Sequence, residues 1–139
     1  MQSQTANSSP TAIPALNGAE TILLVDDDDG VRLVATRILT RAGYTVLAAS
    51  SPDEAEAIWT DHPGPIHLLM TDLMLPGMNG GQLANRLLES RKDARVLYTS
   101  GYTNESVVER GLIIPDMPFL AKPFTILDVI RTVRDALAQ

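Results

Sequence analysis

An α/β fold built on one parallel sheet is what this chain predicts, and three observations carry the prediction. From Glu20 onward short apolar runs alternate with amphipathic segments, the pattern of strands joined by crossover helices. Thr21 to Val25 is a continuous apolar run ending in acids, as in a strand buried on both faces at the centre of a sheet. Five such strand-helix units can be counted, and 139 residues suit one domain with a sizeable core but not two ordinary domains.

The elements follow in order. Residues 1 to 18 hold no charged side chain, are rich in Ser, Thr, Asn, Ala and Pro, and lack periodicity. They are expected to be a flexible linker or tail, leaving 19 to 139 as the domain. After strand one, Val31, Val34, Ala35, Ile38, Leu39 and Ala42 recur at helical spacing up to Gly43, a natural helix stop. Thr45–Ala49 is strand two. Ser51-Pro52-Asp53-Glu54 predicts a capping box with proline at the first helical position, opening a helix over Trp59 that stops near His62-Pro63-Gly64.

Ile66–Thr71 is strand three, and the loop from Asp72 to Gly80 leads to a helix turning Leu83, Leu87 and Leu88 inward. Strand four spans Arg95–Thr99. Thr103–Gly111 is a short, weakly apolar helix candidate, and Pro118–Ala121 is strand five. Thr125 then caps a last helix expected to bury Ile126, Val129, Ile130, Val133 and Leu137. Five right-handed units of this kind make a doubly wound sheet with helices on both faces, for which the flavodoxin-like (βα)5 order 2-1-3-4-5 is the common solution.

Bulk properties narrow the function. An apolar fraction of 45% and a charged fraction of 20% are those of a globular protein. Seventeen acids against eleven bases give a net charge of -6, with no basic stripe for a phosphate backbone, so no nucleic-acid partner is expected. The absence of cysteine excludes disulfides, thiolate chemistry and cysteine-held metal. No apolar run nears the roughly 18 residues that span a bilayer, and no signal peptide opens the chain, so a cytoplasmic protein without a membrane partner is expected.

Ligands of open parallel sheets bind at the carboxyl ends of the strands. There stand Asp26 and Asp27 after strand one, Asp72 after strand three, Ser100 after strand four and Lys122 after strand five. Three carboxylates in one small pocket repel each other unless a hard cation neutralises them, and an all-oxygen donor set suits Mg²⁺. A hydroxyl and an ammonium beside it suit phosphoryl oxygens, whose transfer is catalysed almost wholly by positioning and charge neutralisation.

From about Glu20 to the C-terminus the chain resembles the receiver domain of bacterial two-component response regulators, most closely those at the C-terminal end of hybrid sensor histidine kinases. The motifs that carry the resemblance are ILLVDDDDGVR (Ile22 to Arg32), LLMTDLMLPGMNG (Leu68 to Gly80), VLYTSGY (Val96 to Tyr102) and FLAKPF (Phe119 to Phe124). The resemblance implies that Asp72 is the phosphoacceptor, with Asp27 and the Met74 backbone carbonyl binding Mg²⁺ directly and Asp26 through water. It implies that Ser100 hydrogen-bonds the phosphoryl group, that Lys122 pairs with it, and that the Lys122-Pro123 bond is cis. Ser100 and Phe119 would form the switch, remodelling a surface made of helix four, strand five and helix five.

The implied partners are a sensor histidine kinase or a histidine phosphotransfer protein, and a downstream protein at that surface; a weak homodimer is also allowed. Positions two beyond the phosphoacceptor and two beyond the switch hydroxyl flank the path of attacking water in this family. Here they are Met74 and Tyr102, which implies a slowly lost phosphoryl group on a signalling switch that is not an enzyme in the usual sense. Sequence names neither the kinase, the signal nor the output.

Plainer readings stand beside these. Asp28 and Asp29 suit capping and the dipole of the first helix better than metal ligation. His62 and His67 fall away from the acidic rim and are expected at the surface, and Trp59, Tyr44 and the methionines suit packing. Two other functions compete. A haloacid-dehalogenase-like phosphatase would use Asp27 in Asp27-Asp28-Asp29-Gly30-Val31, with Ser100 and Lys122 as its second and third motifs. It lacks the downstream acidic pair for its metal and leaves Asp72 without a role. An adaptor with a receiver fold and no phosphorylation is the other; such receivers usually lack an acid or the lysine, and here none is missing.

Overall fold

The computed structural model describes residues 19–101 and 117–138. Among these, a five-stranded sheet is built from β1 (Thr21–Val25), β2 (Thr45–Ala49), β3 (Leu68–Asp72), β6 (Arg95–Ser100) and β7 (Phe119–Ala121). The strand order is β2-β1-β3-β6-β7, and each neighbouring pair is parallel. That is the expected 2-1-3-4-5 order, with β6 and β7 as the fourth and fifth strands of the sheet. The helices are α1 (Asp29–Arg41), α2 (Pro52–Asp61), α3 (Gly80–Leu88) and α4 (Ile126–Leu137). The expected helix at Thr103–Gly111, residues 1–18 and Tyr102 lie outside the described residues.

Alternation along the strands explains why helices cover both faces. Leu23 and Val25 of β1 and Leu69 of β3 join one core with Trp59, Leu83 and Leu87 of α2 and α3. Ile22, Leu24, Leu68 and Met70 point the other way, onto Ala35, Ile38 and Leu39 of α1 and Val129, Ile130 and Val133 of α4. Strands buried on both faces have no polar side to alternate with, hence the unbroken apolar runs.

Helix starts are set by local chemistry. Asp28 accepts the Val31 N–H at 3.0 Å and caps α1, as its expected capping role requires. Past the other end, Gly43 has φ 102°, a left-handed turn that glycine takes without a Cβ penalty. Ser51 caps α2 through the Glu54 N–H, but the capping box closes differently from expectation. The Glu54 carboxylate accepts from the N–H and hydroxyl of Ser50 rather than from the N–H of Ser51, and these bonds hold its pKa below the ordinary carboxylate value. Thr125 caps α4, and Asp128 returns the bond to make a full box.

Four further details depart from the sequence reading. Ile126 is 55% exposed, because it lies in the first turn of α4 and lines an open surface cavity with Val34 and Ile38 instead of meeting the sheet. Ile66 is buried but precedes β3, whose pairing with β1 begins at Leu68. The loop after β3 contains a small antiparallel hairpin, β4 (Met74–Leu75) with β5 (Met78–Asn79). His67 is part of the frame rather than a free surface group: its Nδ1 accepts the Thr21 N–H at 2.9 Å where β1 begins.

One cation stitches the side of the molecule opposite the α1 and α4 helices. Arg91 donates to the carbonyls of Trp59, His62 and Gly64 at 2.8–3.1 Å, closing the C-terminal end of α2 where carbonyls lack helical partners. Its guanidinium also lies over the Trp59 ring, 5.7 Å from the centroid, and Trp59 Nε1 donates to Leu87 O of α3 at 2.8 Å. Among the described residues no helix is long and apolar enough to cross a membrane.

Candidate functional site

The carboxyl ends of β1, β3, β6 and β7 meet at one rim, and each delivers a polar residue to it. Asp26 extends β1 by donating its N–H to Ala49 O at 3.1 Å. Its Oδ1 accepts the Asp28 N–H at 2.9 Å, and its carbonyl accepts from Arg32 Nη1 at 2.7 Å. These bonds fix the direction of a carboxylate that is 98% removed from solvent, being only 2% exposed. Asp27, the next residue, is exposed.

Asp72 is the last residue of β3, opposite Thr99 of β6. Its carbonyl accepts from Thr71 Oγ1 at 3.0 Å, and the following N–H, of Leu73, reaches Thr99 O at 2.9 Å. The backbone then turns so that the Met74 N–H donates to Asp72 Oδ1 at 3.0 Å. Ser100 is buried at the end of β6, and its carbonyl accepts the Lys122 N–H at 2.8 Å. Lys122 therefore leaves β7 directly beside Ser100, and the Lys122-Pro123 bond is cis, as the resemblance implies.

The Lys122 ammonium joins the parts. Nζ lies 2.8 Å from Asp26 Oδ2 and 2.8 Å from Asp72 Oδ2, so it bridges the two buried acids and not the exposed Asp27. Burial alone would lower its pKa, but the hydrogen bonds and charges of Asp26 and Asp72 outweigh that and hold it above the ordinary 10.5. Both Asp72 oxygens are thus occupied, one by a backbone N–H and the other by the ammonium.

Carboxylate oxygens of Asp26, Asp27 and Asp72 all lie within 4.8 Å of one another. Two unit charges at that distance repel by about 3.5 kcal/mol at an effective dielectric constant of about 20. One ammonium against three carboxylates leaves two uncompensated negative charges. A hard divalent cation fits this donor set, since it is all oxygen and converges on one point. Asp26, Asp27 and Asp72 could hold it.

Of the other residues singled out in sequence, Met74 sits at the rim with its side chain 50% exposed. Phe119 is half-buried in β7, paired with Tyr98 and packed on the α2 and α3 side of the core. Tyr102 lies outside the described residues. Two residues had no assigned role in the sequence reading. Arg32 fastens the Asp26 carbonyl and reaches the Asp29 carboxylate; its only sequence signal is its place one helical turn after the acidic run. Gly80 packs against the Asp72 backbone; a second signal was available in the Gly80-Gly81 pair opening a helix.

Residues 22–134 match the family model of the response regulator receiver domain. Sensor kinase CckA of Brucella abortus is 33% identical over 124 residues, covering 89% of this chain and 13% of that protein. Response regulator receiver protein CpdR of the same organism is 29% identical over 116 residues, covering 84% of this chain and 95% of CpdR. The chain thus spans a small part of one relative and nearly all of another.

Among solved structures, the receiver domain of the hybrid histidine kinase CckA has a TM-score of 0.64 at 34% identity, covering 84% of this chain and 98% of that one. A response regulator receiver protein from Sinorhizobium medicae has a TM-score of 0.73 at 31% identity, covering 86% and 95%. A sheet of this order, with an acidic cluster and a lysine at its carboxyl rim and a family match across most of its length, places the chain in the response regulator receiver family, the signalling switches of two-component phosphorelays.

Proposed function

We propose that this domain accepts a phosphoryl group from a phosphohistidine onto Asp72 and relays the change through its surface. The observation that carries the reading is the Lys122 bridge: one ammonium at 2.8 Å from both Asp26 and Asp72, inside a cluster of three acids at the strand ends. Asp72 is the last residue of β3, bonded through Leu73 and Thr71 into a fixed place. Asp27, the nucleophile of the phosphatase alternative, has no such setting.

In the transfer, a carboxylate oxygen of Asp72 attacks phosphorus, the P–N bond to the donor imidazole breaks, and its electron pair stays on the imidazole nitrogen. The product is an acyl phosphate on Asp72. Such a reaction needs an in-line approach and neutralised oxygens more than covalent help. Asp72 is held for that approach by its two hydrogen bonds. Lys122 stays anchored to Asp26 while its charge turns to the phosphoryl oxygens, and the Ser100 hydroxyl supplies a further bond. Asp26, Asp27, Asp72 and the Met74 carbonyl would hold Mg²⁺, which when bound supplies the remaining positive charge.

Phosphorylation adds about -1.5 to -2 charges and three acceptor oxygens at Asp72. Ser100 is drawn towards them and Phe119 follows inward, altering the surface around β7 and α4. A downstream protein reads that surface; the donor is a sensor histidine kinase or a histidine phosphotransfer protein in the cytoplasm. Residues 1–18 would be a flexible linker or tail beside the receiver domain at 19–139. Met74 and Tyr102 screen the acyl phosphate from water, so autodephosphorylation is slow.

Incubation with Mg²⁺ and a small acyl phosphate tests the assignment. One phosphoryl group per chain is expected, absent from Asp72→Asn and strongly reduced in Asp27→Ala. Labelling of Asp72→Asn at the wild-type level overturns it.

A further inference from the structure

We propose that Gly80 is a positioning residue for Asp72, setting the phosphoacceptor's backbone by allowing α3 to close on the end of β3. This deepens the reading of Asp72 as phosphoacceptor and rests on it. Gly80 is the first residue of α3. A Cβ there would lie 2.4 Å from the Asp72 carbonyl oxygen and 3.1 Å from both Asp72 C and Leu73 Cα. All three are backbone atoms, so no side-chain rotation relieves the overlap.

Real Cβ atoms essentially never come within 3.0 Å of such an atom, and contacts become ordinary only beyond 3.4 Å. A side chain at position 80 therefore forces helix and strand apart by about 0.6 to 1 Å, the difference from 2.4 Å. Neither side yields freely. On the strand side, Asp72 is pinned by the Thr71 hydroxyl on its carbonyl and by the Leu73 N–H on Thr99 O. On the helix side, Asn79 and Gln82 close a capping box, and the Gly80 N–H donates to Leu73 O at 2.8 Å. The displacement falls on the peptides of Asp72, Leu73 and Met74, which aim the Asp72 carboxylate and the Met74 N–H bonded to it.

An in-line transfer is sensitive to this, since a misplacement of about 1 Å costs on the order of a hundredfold in rate. Gly80→Ala is expected to slow labelling by acyl phosphate roughly ten- to a hundredfold. Helix propensity points the opposite way, because alanine is the better helix former. A chain that stays folded but labels slowly thus separates positioning from loss of structure.

The experiment compares wild type, Gly80→Ala, Gly64→Ala and Thr71→Val in single-turnover labelling with a small acyl phosphate and Mg²⁺. Rates are normalised to the folded fraction from urea denaturation followed by circular dichroism. Gly64→Ala is the control, since its Cβ meets only His62 Nε2 at an ordinary 3.6 Å. Thr71→Val removes the bond to the same Asp72 carbonyl without adding volume, and carries the test if Gly80→Ala does not fold. The expected result is slow labelling of folded Gly80→Ala and a smaller slowing in Thr71→Val, with Gly64→Ala at the wild-type rate. Wild-type rates in folded Gly80→Ala, or in Thr71→Val where the first does not fold, overturn the proposal. Labelling of Asp72→Asn in parallel would overturn the phosphoacceptor reading instead, so the two failures are distinct.

Discussion

Replacing Lys122 by methionine removes the ammonium and keeps most of the side-chain volume. In the wild-type protein Nζ is 2.8 Å from an oxygen of each of two acids, with side chains 17% exposed for Lys122, 2% for Asp26 and 10% for Asp72. Removing one partner of a buried ion pair costs about 3–5 kcal/mol, mostly because the remaining charge is left unpaired. Here two charges are left, repelling by about 3.5 kcal/mol at an effective dielectric constant near 20. Hydration of a rim open enough to expose Asp27 offsets part of this, so we expect Lys122→Met to lose about 3–5 kcal/mol in chelator.

Mg²⁺ should narrow that gap. A ligand at a hundred times its Kd stabilises the folded state by about 2.7 kcal/mol. Without the competing ammonium the variant binds the cation more tightly than wild type does, so at one Mg²⁺ concentration it gains more. Urea denaturation with chelator and with excess Mg²⁺, on both proteins, measures all four stabilities. A gap in chelator below about 1 kcal/mol, the scale of an exposed ion pair, would refute the argument. So would a gap that Mg²⁺ leaves unchanged.

Arg91→Lys should destabilise the fold by about 1–3 kcal/mol, because a point charge cannot serve three carbonyls through a rigid fork; urea denaturation that finds the lysine variant equal to wild type would refute this. Met74→Asn and Tyr102→Glu should each speed loss of the phosphoryl group, the double variant most. An oriented hydrogen bond to water is worth about 1.4 kcal/mol, or tenfold in rate. Decay after donor removal in excess Mg²⁺ reads it, and equal rates in wild type and double variant would contradict the screening role.

The parts of this molecule legible in sequence are those with a local or periodic signature. Runs such as Ile22–Val25 mark strands because both faces are buried, and the acids and lysine are visible because each directly follows such a run. Contacts between distant segments left no such mark. Arg91 reaches carbonyls 27 to 32 residues away, and His67 binds Thr21 across 46; neither residue has a pattern around it. The Met74–Asn79 hairpin was missed because its strands have two residues each, too short for alternation to show. Ile126 fits the apolar stripe of α4, yet a stripe does not reveal where the helix overhangs its sheet. Lys122 was expected to meet a phosphoryl group, and its bridge between Asp26 and Asp72 could be known only once three strand ends were placed side by side.

Chemical trapping shows directly whether Asp72 takes the phosphoryl group. Borohydride reduces an aspartyl phosphate to homoserine, so protein labelled with acyl phosphate and Mg²⁺ can be reduced, digested and sequenced by mass spectrometry. Homoserine is expected at position 72 with unchanged aspartate at positions 26 and 27; homoserine at either of those, with Asp72 intact, would rule out Asp72 as the phosphoacceptor.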